Sequence, residues 1–278
     1  MDLVQTRHIT VAKSNFDDSI KNASMRFQIV EKIPQIEQGF WKRNGFSKQW
    51  HVNSLRDRYF FLFTKGGLVR DKSPIRAELS DLFSVIKKDE GPPGHYAHIL
   101  IMQILEGKTN VGKIVWGRVM RHREVNMCSL GALGLYLMAR FDMTGEKFDF
   151  NENSIWFNRK LLVSPTHSTN LDKEMTYKHY PTVLREICLQ LNIIIEKYFH
   201  FGRYYGNMDG ELNGDLSGHD LETLGNWMLT QREECYSTKL PLRPMRVMGK
   251  HPEKRWLLLP KRNSSTTDGA STNGLSLR

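Results

Sequence analysis

The chain has 278 residues, of which 40% are hydrophobic and 25% are charged. These values are typical of a globular protein with a substantial core, and they exclude wholesale disorder, collagen-like structure and coiled coils. The 40 lysines and arginines outnumber the 30 aspartates and glutamates, which gives a formal net charge of +10 and favours a polyanionic partner such as DNA or RNA.

The sequence gives little support for a membrane protein, a disulfide-stabilised protein or a metalloprotein. No run approaches the roughly 20 apolar residues of a membrane-spanning helix, and the first residues lack the apolar core of a secretory signal. The three cysteines form no CxxC pair, so neither a disulfide framework nor a zinc site is predicted. We therefore expect a reduced, intracellular protein with no membrane association, no metal and no cofactor.

The first third of the chain is predicted to be helical. Residues 27–38 predict a helix interrupted by Pro34, and residues 55–68 predict a buried helix that ends at a glycine pair. Pro74 marks the start of a further helix. The apolar residues on one face of that helix are Leu79, Leu82 and Phe83.

A small sheet is predicted next, followed by more helices. After the breaker GPPGH, residues 95–107 and 114–122 predict the two strands of a β-hairpin around the turn GKTNVGK. The remaining predictions are helices within 128–141, 175–195 and 219–228, a glycine-rich loop over 202–218, and a disordered tail from 263. The fold class expected is mainly α with a small antiparallel β-sheet.

Six dispersed residues have side chains suited to phosphate chemistry. His200 and Arg203 form an HxxR motif, which by itself arises easily by chance in a basic chain. The other four have ordinary explanations too, such as a surface arginine, a solvated lysine at a hairpin tip, a packed tryptophan and a core tyrosine. These four are Arg70, Lys108, Trp227 and Tyr236.

Taken in order, these residue types are the parts needed to cleave a phosphodiester with a tyrosine nucleophile. The Tyr236 phenol has an ordinary pKa near 10, so it needs a base and an activating field, and His200 could accept its proton or orient the phosphate. The guanidinium forks of Arg70 and Arg203 match the charge that develops on the phosphate oxygens. Lys108 could protonate the departing 5′-oxygen, and Trp227 could donate its indole N–H. No metal is required.

The predicted hairpin also carries a stripe of basic residues. This stripe is either an ordinary solvated strand face or a surface laid against a phosphate backbone. The candidate DNA-binding residues are Lys108, Lys113, Arg118, Arg121, Arg123 and Arg232.

The sequence resembles the catalytic domain of tyrosine recombinases of the fungal Crypton type, a family that includes the DNA-binding subunit of the budding-yeast kinetochore complex. The resemblance runs from about Ser54 to about Pro260. It is carried by SLRDRYFFLFTKGGLVRDKSPIRAELSDLF, GKTN, MRHREVNMCSLGALGLYLMARF, KYFHFGR and LGNWMLTQREECYSTKLPLRPMRVMGKHP. It implies a mostly helical fold with a three-stranded antiparallel sheet, and strand cleavage through a 3′-phosphotyrosine without metal or ATP.

By position, the resemblance assigns the six residues above to the catalytic set of that family. Where the family usually carries a carboxylate after its first arginine, this sequence has Lys72. The division expected is an N-terminal helical extension or remnant of a core-binding domain over 1–50, a recombinase-like DNA-binding or catalytic domain over 51–262, and the tail over 263–278.

Three functions are consistent with these observations. The first is binding of double-stranded DNA through a recombinase-like domain, as in a centromere or kinetochore subunit. The second is active DNA recombination and integration, so that enzyme activity stays open. The third is an interaction module for kinetochore or chromatin proteins that uses the aromatic residues near His200. For the first two we expect a nuclear protein that forms homo-oligomers on DNA.

Overall fold

The computed structural model describes most of the chain. The residues described are 28–43, 48–88, 90, 96–104, 115–144, 146, 149, 151–164, 173–195, 198–214, 216–226 and 241–251. The predicted tail over 263–278 lies outside this range. Among the described residues, no helix has the length and apolarity needed to cross a membrane.

The described chain is mostly helical. After a short helical stretch at 28–31, the α-helices in chain order are α1 (Ile33–Lys42), α2 (Lys48–Gly66), α3 (Lys72–Arg76), α4 (Ser129–Thr144), α5 (Asn153–Trp156), α6 (His179–Gln190), α7 (Phe201–Leu212), α8 (Gly218–Gly225) and α9 (Leu242–Met248). Two 3₁₀ turns occupy Leu79–Asp81 and Val125–Met127. The three strands are β1 (Leu82–Lys87), β2 (Ala97–Ile104) and β3 (Val115–Met120).

Helix α2 is the centre of the larger hydrophobic core. Its YFFLF segment is buried on all sides, as expected for a helix that is apolar all round. The Phe60 ring lies 4.3 Å from that of Tyr180 on α6, and the Phe61 ring lies 5.8 Å from that of Phe201 on α7. Phe40 on α1 joins the same core, with its ring 5.3 Å from Phe61. The division of the chain at residue 50 stays a prediction.

The sheet is antiparallel, with strand order β1-β2-β3. Strand β2 is buried on both faces, because one face packs on the α2 core and the other on a second cluster formed with α8 and α9. The predicted hairpin strands are therefore confirmed as β2 and β3. The predicted helix through Leu79, Leu82 and Phe83 is wrong, because Leu82 pairs with Met102 and begins strand β1.

The prediction of a loop over the glycine-rich segment 202–218 is also wrong, because most of this segment forms α7. Its glycines allow close packing rather than a turn. A Cβ on Gly202 would lie 2.2 Å from Thr64 Oγ1, and a Cβ on Gly206 would lie 2.4 Å from the Lys65 carbonyl oxygen. Only glycine permits this approach of α7 to α2.

Candidate nucleic-acid interface

Arg70 lies in the turn that follows α2. Leu68, two residues earlier, is fully buried and has a left-handed φ of 51°, a conformation that is costly for a branched side chain. Gly67 approaches β3 so closely that a Cβ there would lie 3.2 Å from the carbonyl oxygen of Arg118. The surrounding contacts therefore hold this strained turn against β3, shortly before Arg70 in the chain.

Arg203 is in the first turn of α7, and its Nη2 donates a hydrogen bond of 3.2 Å to the Gly225 carbonyl at the end of α8. Burial, and to a smaller extent the positive charge of Arg70, lowers the pKa of Arg203 from 12.5 to about 10. The two guanidiniums are thus close enough to repel each other. The joint binding of one phosphate by Arg70 and Arg203 stays a prediction.

His200 lies at the N-terminal boundary of α7, with a left-handed φ of 67° and an exposed side chain. Its backbone N–H donates a 2.8 Å hydrogen bond to Oδ2 of Asp71. Asp71 is 1% exposed, and burial raises the pKa of its carboxyl although the His200 N–H favours the ionised form. Because Asp71 directly follows Arg70, it connects the turn that carries Arg70 to the start of the HxxR helix.

Asp71 is a site residue that the sequence analysis missed. The resemblance to recombinases placed the expected carboxylate at Lys72, which is exposed and lies over the ring of Tyr177 at 5.4 Å. The carboxylate of this chain is instead Asp71, one residue earlier. Its partner is 129 positions away, and no local pattern indicates that pairing.

The basic stripe of the hairpin does not form one solvated face. Arg118 is 4% exposed, and burial lowers its pKa to about 10, which does not fit the alternative of a solvated strand face; its role in DNA binding stays a prediction. Arg121 and Arg123 are exposed and follow β3. Their backbone N–H groups donate to the carbonyls of His98 and Gly249, at 2.9 and 2.8 Å. The stripe therefore divides into one internal and two surface arginines.

Five of the predicted site residues lie outside the described part of the chain. They are Lys108, Lys113, Trp227, Arg232 and Tyr236. The described chain stops at Asn226, which caps α8 with a left-handed φ of 53° and donates from Nδ2 to the Trp116 carbonyl at 3.0 Å. An asparagine with positive φ is a common helix C-terminal cap, so α8 ends at Gly225, earlier than the predicted helix over 219–228.

The chain resumes at Pro241 and leads into α9, which two ion pairs hold in place. Arg243 contacts Asp220 of α8, and Arg246 contacts the buried Glu90. Among the described residues, no group of histidine, cysteine and carboxylate side chains could hold a metal ion. The arrangement that the structure does offer is a pair of neighbouring guanidiniums, whose N–H groups suit phosphate oxygens as hydrogen-bond acceptors.

The fold is similar to that of FLP recombinase in a Holliday-junction complex, with a TM-score of 0.51 and 16% sequence identity. That comparison covers 85% of this chain and 54% of the other, so this chain spans about half the length of the recombinase. A mutant Flpe in a DNA Holliday-junction complex gives a TM-score of 0.49 at 15% identity, covering 86% of this chain and 55% of the other. The first similarity establishes a tyrosine-recombinase type of fold and confirms the predicted class.

Sequence comparison gives the narrower assignment. No curated protein matches the chain. The model of the family described as centromere DNA-binding protein complex CBF3 subunit, domain 2, matches residues 12–267, which is most of the chain. The chain therefore belongs to the family of the centromere DNA-binding protein complex CBF3 subunit, domain 2.

Proposed function

We propose that this chain binds double-stranded DNA through its recombinase-like domain, in the manner of a centromere DNA-binding subunit. The observation that carries the proposal is the convergence of Arg70 and Arg203 next to the exposed His200. The family assignment and the net charge of +10 support it. A DNA phosphate accepts hydrogen bonds from guanidiniums, and its negative charge reduces the repulsion between the two arginines.

The proposal is tested by measuring affinity for a labelled duplex pool of random sequence over a range of salt concentrations. The logarithm of the binding constant should fall with the logarithm of salt, with a slope of about −0.9 per phosphate neutralised. Arg203→Gln should weaken binding and reduce that slope by roughly one. Arg185→Gln on the exposed side of α6 is the matched control and should change neither. A wild-type affinity that does not respond to salt would contradict the proposal.

A second candidate function is DNA cleavage and rejoining as a Crypton-type tyrosine recombinase, with integration as the biological outcome. It is favoured by the proximity of Arg70, His200 and Arg203, which are three of the six assigned catalytic residues. In that reaction the Tyr236 oxygen attacks phosphorus and forms a 3′-phosphotyrosine bond. The bond from phosphorus to the 5′-oxygen breaks, and Lys108 gives that oxygen a proton. His200 accepts the phenol proton or orients the phosphate, and Trp227 donates its N–H to the phosphate.

Cleavage is tested with nicked random-sequence duplexes on a denaturing gel. An adduct that resists denaturant, and that is absent with Tyr236→Phe, would establish recombinase chemistry. DNA that is bound without any adduct would contradict cleavage and leave DNA binding as the remaining function.

The proposal also includes a nuclear location, homo-oligomers on DNA, and contacts with kinetochore or chromatin proteins. Phe199 and Tyr204, two aromatic residues near His200, are 40% and 43% exposed and belong to the surface proposed for a protein partner. Phe201 and Tyr205 of the same run are buried in the core instead. Light scattering of the DNA complex tests the oligomer, and partner capture that survives nuclease treatment tests protein contacts.

A further inference from the structure

A pocket of about 400 Å³ opens shortly after the turn of Arg70, between α3 and the segment 173–177. Both of its walls are anchored by backbone hydrogen bonds to neighbouring residues. Leu161 donates its N–H to the carbonyl of the residue that follows α3 at 2.9 Å, and Met175 donates its N–H to the Leu162 carbonyl at 2.7 Å. The volume is in the range of pockets that hold small ligands, and the walls are fixed by the fold.

The charge of this pocket favours an anion. Among the described residues that line it, three are cations and one is a carboxylate. The cations Lys72, Arg76 and Lys173 are exposed, and the carboxylate Glu174 is half-buried. Exposed positive charges that line one concave surface raise the local concentration of anionic ligands.

A second pocket of about 400 Å³ shares Arg76 and Glu174 with the first and provides an internal comparison. Its other charged residues, among those described, are Glu78, Asp81 and Lys160. Lys160 forms an ion pair of 2.9 Å with Glu78. The described carboxylates outnumber the described cations there by three to two, so this neighbouring pocket does not favour an anion.

An aromatic wall connects the first pocket to His200. The Lys72 Nζ lies 5.4 Å from the centre of the Tyr177 ring, and that ring stacks on the Phe199 ring at 4.9 Å. Phe199 is 40% exposed and directly precedes His200. Burial, and then the negative charge of Asp71, raises the pKa of Tyr177, and the same carboxylate accepts the His200 N–H. The pocket therefore adjoins the candidate nucleic-acid interface.

We infer that this pocket binds a second backbone phosphate of the bound DNA, with Lys72 and Lys173 as its charged donors. The inference rests on the proposed DNA-binding function and extends it beyond the arginine pair. The ligand class is a phosphodiester, recognised by charge rather than by base identity. A nucleotide has the two chemical parts that this surface can bind, because its phosphate suits the ammonium groups and its apolar sugar suits the exposed aromatic wall.

The double variant Lys72→Gln/Lys173→Gln should bind the random-sequence duplex pool about ten-fold more weakly than wild type, with a salt slope smaller by roughly 0.9. Both side chains are exposed, so the melting temperature of the free protein should change little. Lys72→Arg/Lys173→Arg keeps both charges and should keep the slope. Lys160→Gln in the neighbouring pocket is the matched control, and it should keep both the affinity and the slope.

A salt slope of the glutamine double variant equal to that of wild type would overturn the inference. An equal decrease in Lys160→Gln would overturn it too, because the lysines would then act only through the net charge. Lys173→Gln decides the question if the double variant does not fold, since it leaves the contact between Lys72 and Tyr177 in place, and an unchanged slope in it refutes the site.

The wild-type measurement separates this inference from the proposed function. If wild type does not bind duplex DNA at any salt concentration, the proposed function fails and this inference fails with it. If wild type binds and the glutamine variants keep its slope, only the second phosphate site is refuted. Binding of polyglutamate that depends on Lys72 and Lys173, together with an unchanged DNA slope, would instead identify the pocket as a site for acidic peptides.

Discussion

Asp71 connects the turn of Arg70 to the backbone of His200, and its burial has a consequence for stability. A carboxyl whose pKa is raised in the folded state binds more protons there than in the unfolded chain. Its contribution to the free energy of unfolding is therefore most favourable at low pH. That contribution declines as pH rises from the unfolded value of 3.8 through the folded pKa.

We expect Asp71→Asn to reduce this decline, because the amide oxygen can still accept the His200 N–H while the buried charge is absent. Urea unfolding at a series of pH values from about 4 to 7 measures the effect. The difference in unfolding free energy between variant and wild type should shift in favour of the variant as pH rises. Asp142→Asn, at an exposed position of α4, is the control. Parallel pH profiles for wild type and Asp71→Asn would contradict the assignment of a raised pKa.

At the scale of elements, the contact between α2 and α7 sets the geometry of the arginine pair. Both helices lead directly to it, since Arg70 follows α2 and Arg203 begins α7. The backbones touch at Gly202 and Gly206, and the ion pair of 2.6 Å between Lys65 and Asp209 crosses the same contact. A change in this contact should therefore alter stability and phosphate binding together.

Gly206→Ala should destabilise the fold by about 1–3 kcal/mol, because the new Cβ would lie 2.4 Å from a backbone oxygen that cannot move away cheaply. Gly134→Ala on α4 is a matched control in which the new Cβ meets nothing within 4 Å. It should stabilise by about 0.5–1 kcal/mol through helix propensity. Thermal and urea unfolding measure both. Equal effects of the two substitutions would show that α7 can move away from α2 without cost.

Much of the architecture was readable from sequence, and the errors have a common physical origin. Strands β2 and β3 are rich in Ile, Val and Met, and the buried segment of α2 is apolar throughout and stops at a glycine pair. Strand β1 has an apolar pattern that also fits a helix, and only its pairing with β2 decides between them. The glycines of α7 resemble a loop until α2 is placed against them. Both errors arise because local propensity was overridden by a distant partner.

The candidate site, like the fold, depends on contacts between residues that are distant in the sequence. The resemblance to recombinases assigned Arg70, His200 and Arg203 to one catalytic set. In the structure Arg70 interacts electrostatically with Arg203, and Asp71 accepts from the His200 backbone, while the catalytic assignment stays a prediction. The resemblance did not indicate that Arg118 turns inward while Arg121 and Arg123 stay exposed. An alternating strand pattern cannot identify the outer face when both faces of the sheet are covered.

At the scale of the whole molecule, α1 belongs to the main core although it precedes the predicted boundary at residue 50. Ile36 and Phe40 are at most 1% exposed and pack among residues of α2 and α6. The Phe40 ring lies parallel to that of Tyr180 at 6.5 Å. The recombinase-like part of the chain therefore uses α1 to cover the α2 aromatic residues.

Phe40→Ala should lower the free energy of unfolding by about 3–5 kcal/mol through the cavity that it leaves. Gln38→Ala, at an exposed position of the same helix, should change it by less than about 0.5 kcal/mol. Chemical denaturation measures both, and the two losses should appear in a single cooperative transition. A separate early transition for α1 would instead favour an independent N-terminal unit.

The glycine contact between α7 and α2 also has a kinetic consequence. Because close backbone contact fixes the spacing of α2 and α7, the segments that carry Arg70 and Arg203 are in place before a ligand arrives. Such a preformed site needs little ordering on binding, so most collisions with a correctly placed phosphate lead to binding. Encounter is then steered by the +10 charge of the chain, and ionic strength acts chiefly on the association rate constant. For the phosphate ligand proposed above, this predicts a high association rate constant rather than slow folding around the ligand.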